Sequence, residues 1–320
     1  MSDTNPESLP SPTTIGIDFG GTSVKVGVVR GADVISEIER IPTQKYDGAE
    51  ALTDAIVATV HSLKESHPAI SAIGIGVPGA VDFEKGMTYN LTNVPGWSNM
   101  PLRDIMAEKS GLPTVLENDA NCAAYAEFKR GAGQGFRNVV VVTLGTGVGG
   151  GLILNGELYR GSQYAAGEIG QMSVDFDGVE GPYGNWGALE RYIGNQQITE
   201  IGVKRFLEAG REVTAENCSP ESLAQAAYAG DEIAHQVWHL VAKYLATAMT
   251  SVVYLLNPDA IVIGGGVAHA GNVLFDPLKE HMSSMLSSEF FETLNIVHAR
   301  FGNTAGIIGS AALAAELVEA

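Results

Sequence analysis

Three glycine-rich segments follow apolar, strand-like runs: DFGGT at 18–22, TLGTG at 143–147 and IGGGV at 263–267. Backbone amides in such turns bind anions, and glycine lets the backbone take positive φ and approach a ligand closely. One such turn is weak evidence, because any hairpin can contain one. Two matched strand–turn–strand units and a third glycine-rich strand end favour phosphate binding. Asp18 precedes the first turn and is a candidate magnesium ligand, acting through a bound water.

An aspartate in the segment ENDANCAAYAEF, Asp119, lies where a predicted strand meets a predicted helix. A lone aspartate at such a junction is usually an N-cap of the helix. Asn118 beside it and the two phosphate-type turns favour a second hypothesis. In that hypothesis Asp119 is a general base that takes the proton from a substrate hydroxyl during phosphoryl transfer.

Composition indicates a globular protein of two domains, with 320 residues, 45% hydrophobic and 18% charged. The net charge of −18 argues against binding to nucleic acid or to an anionic membrane. Two cysteines, Cys122 and Cys218, cannot build a disulfide framework, so we expect reduced thiols and a cytoplasmic location. Residues 1–12 are polar and proline-rich, which predicts a disordered tail and no signal peptide. No apolar stretch reaches the roughly 20 residues that cross a bilayer.

The elements repeat between the two halves of the chain. IGIDFGGTSVKVGVV and VVVVTLGTGVGGGLIL use the same strand–turn–strand device, which indicates an internal repeat. VISEIERI is predicted to be a further strand. Leu52, Ile56, Val60 and Leu63 have helical spacing and predict an α-helix after it.

The chain resembles the ROK family of sugar kinases, in the actin-like ATPase superfamily, from about Ile15 to its last helix. The matching segments, in the family's order, are GIDFGGTSVKVG, GIGVPGAVD, NVPGW, ENDANCAAYAEF, VTLGTGVGGGLILNGELYRG, GEIGQMSV and NPDAIVIGGGV. The resemblance implies an α/β, actin-like (ribonuclease H-like) duplicated fold of two domains with a cleft between them. It implies a first domain of 13–118 completed by about 303–320, and a second domain of 119–302.

The resemblance also implies roles for individual residues, with Asp119 as the catalytic base. The residues expected to hydrogen-bond the sugar are Gly79, Asn93, Asn118, Asp119, Glu168, Gln171 and Glu190. The residues expected to bind ATP and its Mg²⁺ are Asp18, Gly20, Gly21, Thr22, Lys25, Gly145, Thr146, Gly147, Gly265 and Gly266. A homodimer is the assembly that the family suggests.

One departure from the family pattern concerns a structural zinc site, which ROK proteins commonly build from one histidine and three cysteines. The four positions hold Gln171, Gly181, Tyr183 and Ala188, none of which can supply a thiolate or an imidazole, so we predict no zinc. Apolar packing of Tyr183 and Trp186 is our hypothesis for what replaces the metal. Because the family histidine also touches the sugar near its 2-position, Gln171 puts specificity at that position in question.

The favoured function is an ATP-dependent glucokinase that phosphorylates the 6-hydroxyl of glucose, with Asp119 as base. Kinases for fructose, mannose or an N-acetylhexosamine remain alternatives, as does polyphosphate as the donor. A sugar-sensing regulator of the same family is a further alternative. It is disfavoured because only about a dozen residues precede the first strand, too few for a helix-turn-helix domain.

Overall fold

The computed structural model describes residues 11–91, 94 and 96–319. Residues 1–10 of the predicted tail and the predicted sugar ligand Asn93 lie outside them. The chain divides into two compact units, one of residues up to Ala126 together with Thr304 onward, the other of Glu127–Asn303.

The secondary structure alternates strands and helices in both units. The strands are β1 (Thr13–Phe19), β2 (Ser23–Arg30), β3 (Asp33–Val34), β4 (Glu39–Pro42), β5 (Ile70–Val77), β6 (Val81–Asp82), β7 (Met87–Asn90), β8 (Ser98–Met100), β9 (Thr114–Asn118), β10 (Val139–Leu144), β11 (Val148–Leu154), β12 (Glu157–Tyr159), β13 (Ala260–Gly264) and β14 (Asn295–His298). The helices are α1 (Ala49–Ser66), α2 (Leu102–Ser110), α3 (Asp119–Arg130), α4 (Glu190–Ile193), α5 (Asn195–Glu208), α6 (Pro220–Tyr228), α7 (Glu232–Leu256), α8 (Asn272–Met285), α9 (Ser288–Phe291) and α10 (Ala305–Glu319).

The division into units falls inside α3, after Ala126, whereas the sequence suggested a boundary between Asn118 and Asp119. Glu127 belongs with the second unit because its buried carboxylate accepts hydrogen bonds from Arg300 N at 2.8 Å and Phe301 N at 2.9 Å. A buried carboxylate needs such partners, so these bonds fix the last turns of α3 on that unit.

The first unit contains a mixed sheet in the order β3-β2-β1-β5-β9, with β4 also paired to β2. Strands β1 and β2 form an antiparallel hairpin, and β1, β5 and β9 run parallel. A three-stranded sheet, β6-β7-β8, adds to this unit. The predicted apolar face of α1 is confirmed, since Leu52, Ile56, Val60 and Leu63 are all buried.

Helix α10 packs directly on β1 and β5 through glycines of those strands. A Cβ atom at Gly16 would lie 2.0 Å from Ile307 O, and one at Gly74 would lie 1.7 Å from Ser310 O. Neither position has room for a side chain, so glycine is what lets the helix backbone lie against the sheet. The end of the chain therefore forms part of the core of the first unit.

The predicted single strand VISEIERI is instead two short strands, β3 and β4. Ile35 N donates to Val28 O at 2.8 Å, and Val28 N donates to the Ser36 hydroxyl at 3.0 Å. Because a side chain takes the amide that a continuing strand would have paired, the ladder is interrupted there.

The second unit contains a sheet in the order β12-β11-β10-β13-β14. Its first two paired strands, β10 and β11, form an antiparallel hairpin, and β10, β13 and β14 run parallel. Each unit thus has an antiparallel hairpin followed by two parallel strands, which is the internal repeat that the sequence indicated. This arrangement places a glycine-rich turn at the same end of the leading strand in both units.

Contrary to the expectation from the sequence, one helix, α7 of the second unit, is long and apolar enough, by length and mean hydropathy, to cross a membrane. It buries Trp238, Val241 and Leu245 in the hydrophobic core of that unit. A helix in the core of a globular protein meets the same length and hydropathy criteria. The buried residues of α7 follow the pattern of such a core helix.

Candidate active site

The first glycine-rich turn joins β1 to β2. Gly20 N donates to Ser23 O at 3.0 Å, which closes the turn and leaves Gly21 and Thr22 exposed. Asp18 and Lys25 face each other across the hairpin, and Lys25 Nζ lies 2.9 Å from Asp18 Oδ2. The turn therefore presents backbone amides beside a carboxylate and an ammonium group.

Asp18 fits the water-mediated magnesium role proposed for it. Magnesium in phosphoryl-transfer sites is bound by one or two carboxylates together with substrate phosphates and water. The Asp18 side chain is 15% exposed, so a carboxylate of this kind can face a hydrated ion. Within the described ranges, no three His, Cys, Asp or Glu side chains converge to hold a metal. An ion at Asp18 would thus depend on phosphate and water ligands.

The second glycine-rich turn joins β10 to β11 in the other unit. Gly145 N donates to Gly147 O at 2.9 Å, and Asn195 N donates to Gly145 O at 2.8 Å. Glu190 Oε2 accepts from Val148 N at 2.9 Å, and a Cβ atom at Gly147 would lie 2.3 Å from that oxygen. Gly147 is therefore required for Glu190 to lie against this turn.

The third glycine-rich segment lies beside the second turn. Gly265 has φ +86°, and a Cβ atom there would be 2.2 Å from Leu144 O, at the end of β10. Gly266 has open space around its Cα. The structure thus brings Gly265 and Gly266 next to the strand that leads into Gly145, as expected for one nucleotide-binding surface on this unit.

The junction of β9 and α3 positions Asp119. The Asn118 side-chain oxygen accepts from Ala120 N at 2.9 Å and Asn121 N at 3.1 Å, so Asn118 is the N-cap. Ala120 N also donates to Asp119 Oδ1 at 2.8 Å. Asp119 is thus the first residue of the helix, partly exposed, with a backbone donor orienting its carboxylate.

Asn118 also joins Gly79 to this junction, since Asn118 Nδ2 donates to Gly79 O at 3.1 Å. Gly79 has φ +80°, which glycine tolerates. The capping bonds use the Asn118 oxygen twice, and the bond to Gly79 uses one of its two amide hydrogens. Asn118 therefore has a donor to offer a sugar hydroxyl and little acceptor capacity.

Glu168 is one of two carboxylates that the second unit contributes. Its residue surface is exposed, yet partial burial of its carboxyl raises the pKa of Glu168, and the negative charge of Glu190 raises it further. The electrostatic coupling indicates that the two carboxylates lie near each other. Gln171 ends the short 3₁₀ helix Ile169–Gln171 that follows Glu168, and its side-chain oxygen is buried without a hydrogen-bond partner among the described residues.

The segment from Met172 to Leu189, called here the 172–189 loop, contains three of the four altered zinc-ligand positions, Gly181, Tyr183 and Ala188. The hypothesis that Tyr183 and Trp186 order it by apolar packing is wrong, because these side chains are 82% and 52% exposed. Phe176 is exposed as well, at 84%. Their burial is too small for apolar packing to be the main source of order.

Hydrogen bonds to a buried tyrosine order the loop instead. Tyr192 is 8% exposed, and its ring lies 4.3 Å from that of Tyr244. Its hydroxyl accepts from Val179 N at 2.9 Å and donates to Asp175 Oδ2 at 3.4 Å. A Cβ atom at Gly178 would lie 1.9 Å from the Tyr192 hydroxyl. Glycine at 178 therefore makes room for the tyrosine.

Further bonds cross the loop and reach the predicted sugar residues. Ser173 and Ala188 form an antiparallel bridge. The Asn185 side chain donates to Gln171 O at 3.0 Å. Gly187 has φ +69°, and a Cβ atom there would lie 1.8 Å from Asp175 O. Thus Gly178 and Gly187 both stand where a side chain would collide with the loop or with Tyr192, and a hydrogen bond ties the loop to Gln171.

The repeated sheets are those of the duplicated actin-like ATPase (ribonuclease H-like) fold, so the predicted α/β class with two domains is confirmed. The model of the ROK family matches residues 14–317. A glucokinase from Halalkalibacterium halodurans is 35% identical over 306 residues, covering 92% of each chain. An N-acetyl-D-glucosamine kinase from Mannheimia succiniciproducens is 29% identical over 306 residues, covering 93% of this chain and 98% of that one.

A solved structure is similar over the same length. The ROK family glucokinase from Streptomyces griseus, in complex with glucose and AMPPNP, has a TM-score of 0.78 and 31% identity, covering 95% of this chain and 99% of that chain. The chain belongs to the ROK family, and the resemblance seen in the sequence is confirmed.

Proposed function

We propose that this chain transfers the γ-phosphate of ATP to the 6-hydroxyl of glucose. Its enzyme class, sugar kinase, follows from the ROK family match and from the glucokinase relatives. The observation that carries the finer proposal is the β9–α3 junction. There Asn118 caps the helix, binds Gly79 and holds Asp119 at the first helical position.

The proposed chemistry assigns one task to each group. Asp119 takes the proton of the 6-hydroxyl, and the sugar oxygen then attacks the γ-phosphorus. The bond between the γ-phosphorus and the β-phosphate oxygen breaks, and ADP leaves. Gly20 and Gly145 close the two turns through their amides, and the backbone amides of the residues that follow them, Gly21–Thr22 and Thr146–Gly147, would hold the phosphates in position. Magnesium beside Asp18, when bound, would neutralise phosphate charge. Little covalent chemistry is needed, so positioning and charge stabilisation dominate.

The sugar would be recognised by paired donors and acceptors. Glu168 and Glu190 supply acceptors, and Asn118 supplies a donor through its remaining amide hydrogen. A site of this kind rejects analogues that lack a hydroxyl, because its polar groups would then be unpaired. Asn93, outside the described residues, is part of the same proposal by resemblance.

A second candidate acceptor is an N-acetylhexosamine. Gln171 replaces the histidine that touches the sugar 2-position in the family, and its side-chain oxygen lacks a partner among the described residues. The N–H of an acetamido group would donate a hydrogen bond to this oxygen. The N-acetyl-D-glucosamine kinase relative supports keeping this candidate.

A kinase assay over glucose, fructose, mannose and N-acetylglucosamine, each with ATP and with polyphosphate, tests the proposal. We expect the highest kcat/KM for glucose with ATP. Preference for N-acetylglucosamine or for polyphosphate would replace the acceptor or the donor named here. Absence of phosphorylation of every hexose by both donors would overturn the kinase proposal itself.

The role of Asp119 has its own test. Asp119→Asn removes the base and keeps the shape, so kcat should fall by about 10²–10⁴-fold, with glucose affinity within a few-fold of the parent. Glucose affinity is measured by calorimetry without ATP. An unchanged kcat would show that another group takes the proton.

The expected homodimer is tested separately by sedimentation, which should give twice the 33.6 kDa chain mass.

A further inference from the structure

A cavity of about 200 Å³ lies within the first unit. It is lined by Phe19, Gly20, Thr43, Pro78, Gly79, Asn90, Leu91 and Val94. Gly20 belongs to the predicted phosphate turn, and Gly79 is a predicted sugar contact. Pockets for drug-sized ligands typically measure about 300–1,000 Å³, so this cavity is smaller than they are. It suits part of a single sugar.

The walls of the cavity are mainly apolar and firmly held. Phe19, Leu91 and Val94 are each at most 5% exposed. The Phe19 ring meets that of Trp97 edge to face at 5.5 Å, and Trp97 Nε1 donates to the Thr88 hydroxyl at 2.6 Å. Such walls match the C–H surface of a sugar and leave few polar groups to bind its hydroxyls.

Thr43 lines this cavity, and its hydroxyl is a buried polar group without a hydrogen-bond partner among the described residues. Thr43 is 2% exposed, and within the part of the chain that the structure describes its Oγ1 has no hydrogen-bond partner. Buried hydroxyls are normally bonded, as Thr14 is to Ala311 O at 2.9 Å and Thr53 to Ala49 O at 2.7 Å. Leaving one unbonded costs stability, and a partner that supplies the missing bond recovers that cost.

The backbone fixes Thr43 relative to the predicted phosphate turn. Thr43 N donates to Thr22 O at 3.0 Å, and the residue begins the short 3₁₀ helix Thr43–Lys45. Thr43 thus joins Gly20 and Gly79 on one cavity while its own amide holds the turn that is expected to bind phosphate.

We propose that Thr43 is a substrate-binding residue whose side chain forms a hydrogen bond with a hydroxyl of the hexose. The inference rests on the proposed hexose kinase function and adds a contact to its sugar site. Binding of the sugar satisfies the buried Oγ1, so the hydroxyl weakens the free protein and strengthens the complex. This opposite effect on stability and on affinity separates it from a structural hydroxyl.

Thr43→Val removes the hydroxyl and keeps the shape. We expect KM and the calorimetric Kd for glucose to rise roughly tenfold, with kcat and the KM for ATP little changed. The thermal midpoint without sugar should stay the same or rise, because an unbonded polar group is gone. Thr43→Ser keeps the hydroxyl and should retain near-parental glucose affinity.

Thr14→Val is the matched control, since it removes a buried and bonded threonine hydroxyl of the same unit. It should lower the thermal midpoint and leave glucose affinity unchanged. If Thr43→Val behaves like this control, or if Thr43→Ser weakens glucose binding as much as Thr43→Val, the inference is wrong. If the parent protein neither phosphorylates nor binds any hexose, the proposed function fails first, and the contact with it.

Discussion

Two carboxylates set the charge of the candidate sugar site in the second unit. Glu190 is anchored to the second glycine-rich turn through Val148 N. Partial burial of the Glu168 carboxyl raises its pKa, and the negative charge of Glu190 raises that pKa further. A raised carboxyl pKa means that protonation occurs at a higher pH than for a free glutamate. Acceptor capacity for sugar hydroxyls is then lost earlier on acidification.

The pH dependence of glucose binding follows from this coupling. As pH falls through the raised pKa, Glu168 becomes protonated, and the Kd for glucose should increase. Glu190→Gln removes the neighbouring charge, so the midpoint of that increase should move to lower pH. Calorimetric titrations over a range of pH measure the midpoint.

The control for this prediction is Glu168→Gln, which cannot titrate and should flatten the pH profile of Kd. The overall affinity of both variants is expected to change, so the midpoint alone carries the test. A midpoint that is the same in Glu190→Gln and in the parent would contradict coupling between the two carboxylates.

Sequence patterns indicate candidate site residues by type and position, but not the hydrogen bonds that each one makes. Asn118 and Glu190 were expected to bind sugar, and the structure adds that Asn118 caps α3 and that Glu190 holds Val148 N. These bonds depend on which backbone amides lie nearby in three dimensions. Residue type alone does not carry that information, whereas the Asn-Asp pair at a strand–helix junction is readable from the chain.

At the scale of elements, the 172–189 loop shows how a single side chain orders a segment of the site. The Tyr192 hydroxyl bonds Val179 N and Asp175 Oδ2, while Asn185 bonds Gln171 O. The glycine-rich hairpins were predictable because glycine acts locally through φ. The Tyr192 tether was not, because Tyr192 lies 13 residues after Val179 and nothing in its type marks it as a partner.

Tyr192→Phe should loosen the loop by removing that hydroxyl. The loss of one hydrogen bond is worth about 0.5–1.5 kcal/mol, so we expect the Val179 amide to exchange hydrogen about two- to tenfold faster. The KM for glucose should rise with it, because Gln171 is tied to the same loop. Hydrogen exchange by mass spectrometry and steady-state kinetics measure the two effects.

Tyr183→Phe is the control for this loop, since Tyr183 is 82% exposed. It should leave both exchange and KM unchanged. With magnesium kept in excess, a zinc-selective chelator should change neither exchange nor KM in the parent or the variants if the loop is held without zinc. Loss of activity on chelation that is restored by zinc rather than by magnesium would show that a metal orders it after all.

At the scale of the whole molecule, the first unit is completed by the last helix of the chain. Gly16 and Gly74 allow the backbone of α10 to touch β1 and β5. The sequence placed this helix with the first domain through family resemblance. The close contact between the backbone of α10 and the strands β1 and β5 depends on the folded structure, so residue types alone do not predict it.

Gly74→Ala should destabilise the first unit, because its Cβ atom would lie 1.7 Å from Ser310 O in the helix backbone. Overpacking of a core typically costs about 1–3 kcal/mol, and occasionally more. Gly27→Ala is the matched control on β2, where a Cβ atom would lie 3.3 Å from the side chains of Ile307 and Val34. Urea unfolding should show a clearly larger loss for Gly74→Ala, and equal losses would contradict a tight backbone contact.

The seating of α10 also sets an order of events while the chain is being made. The second unit, 127–303, is continuous in sequence and can fold as soon as it leaves the ribosome. The first unit must wait for Thr304 and the residues after it, which are complete roughly 10–40 s after Ala126 has been added, at about 5–20 residues per second. During that interval the glycine faces of β1 and β5 are uncovered, and the half that begins the chain is the last to mature. Nascent chains arrested before Thr304 should therefore be cleaved by protease within 13–126 and resist it within 127–303.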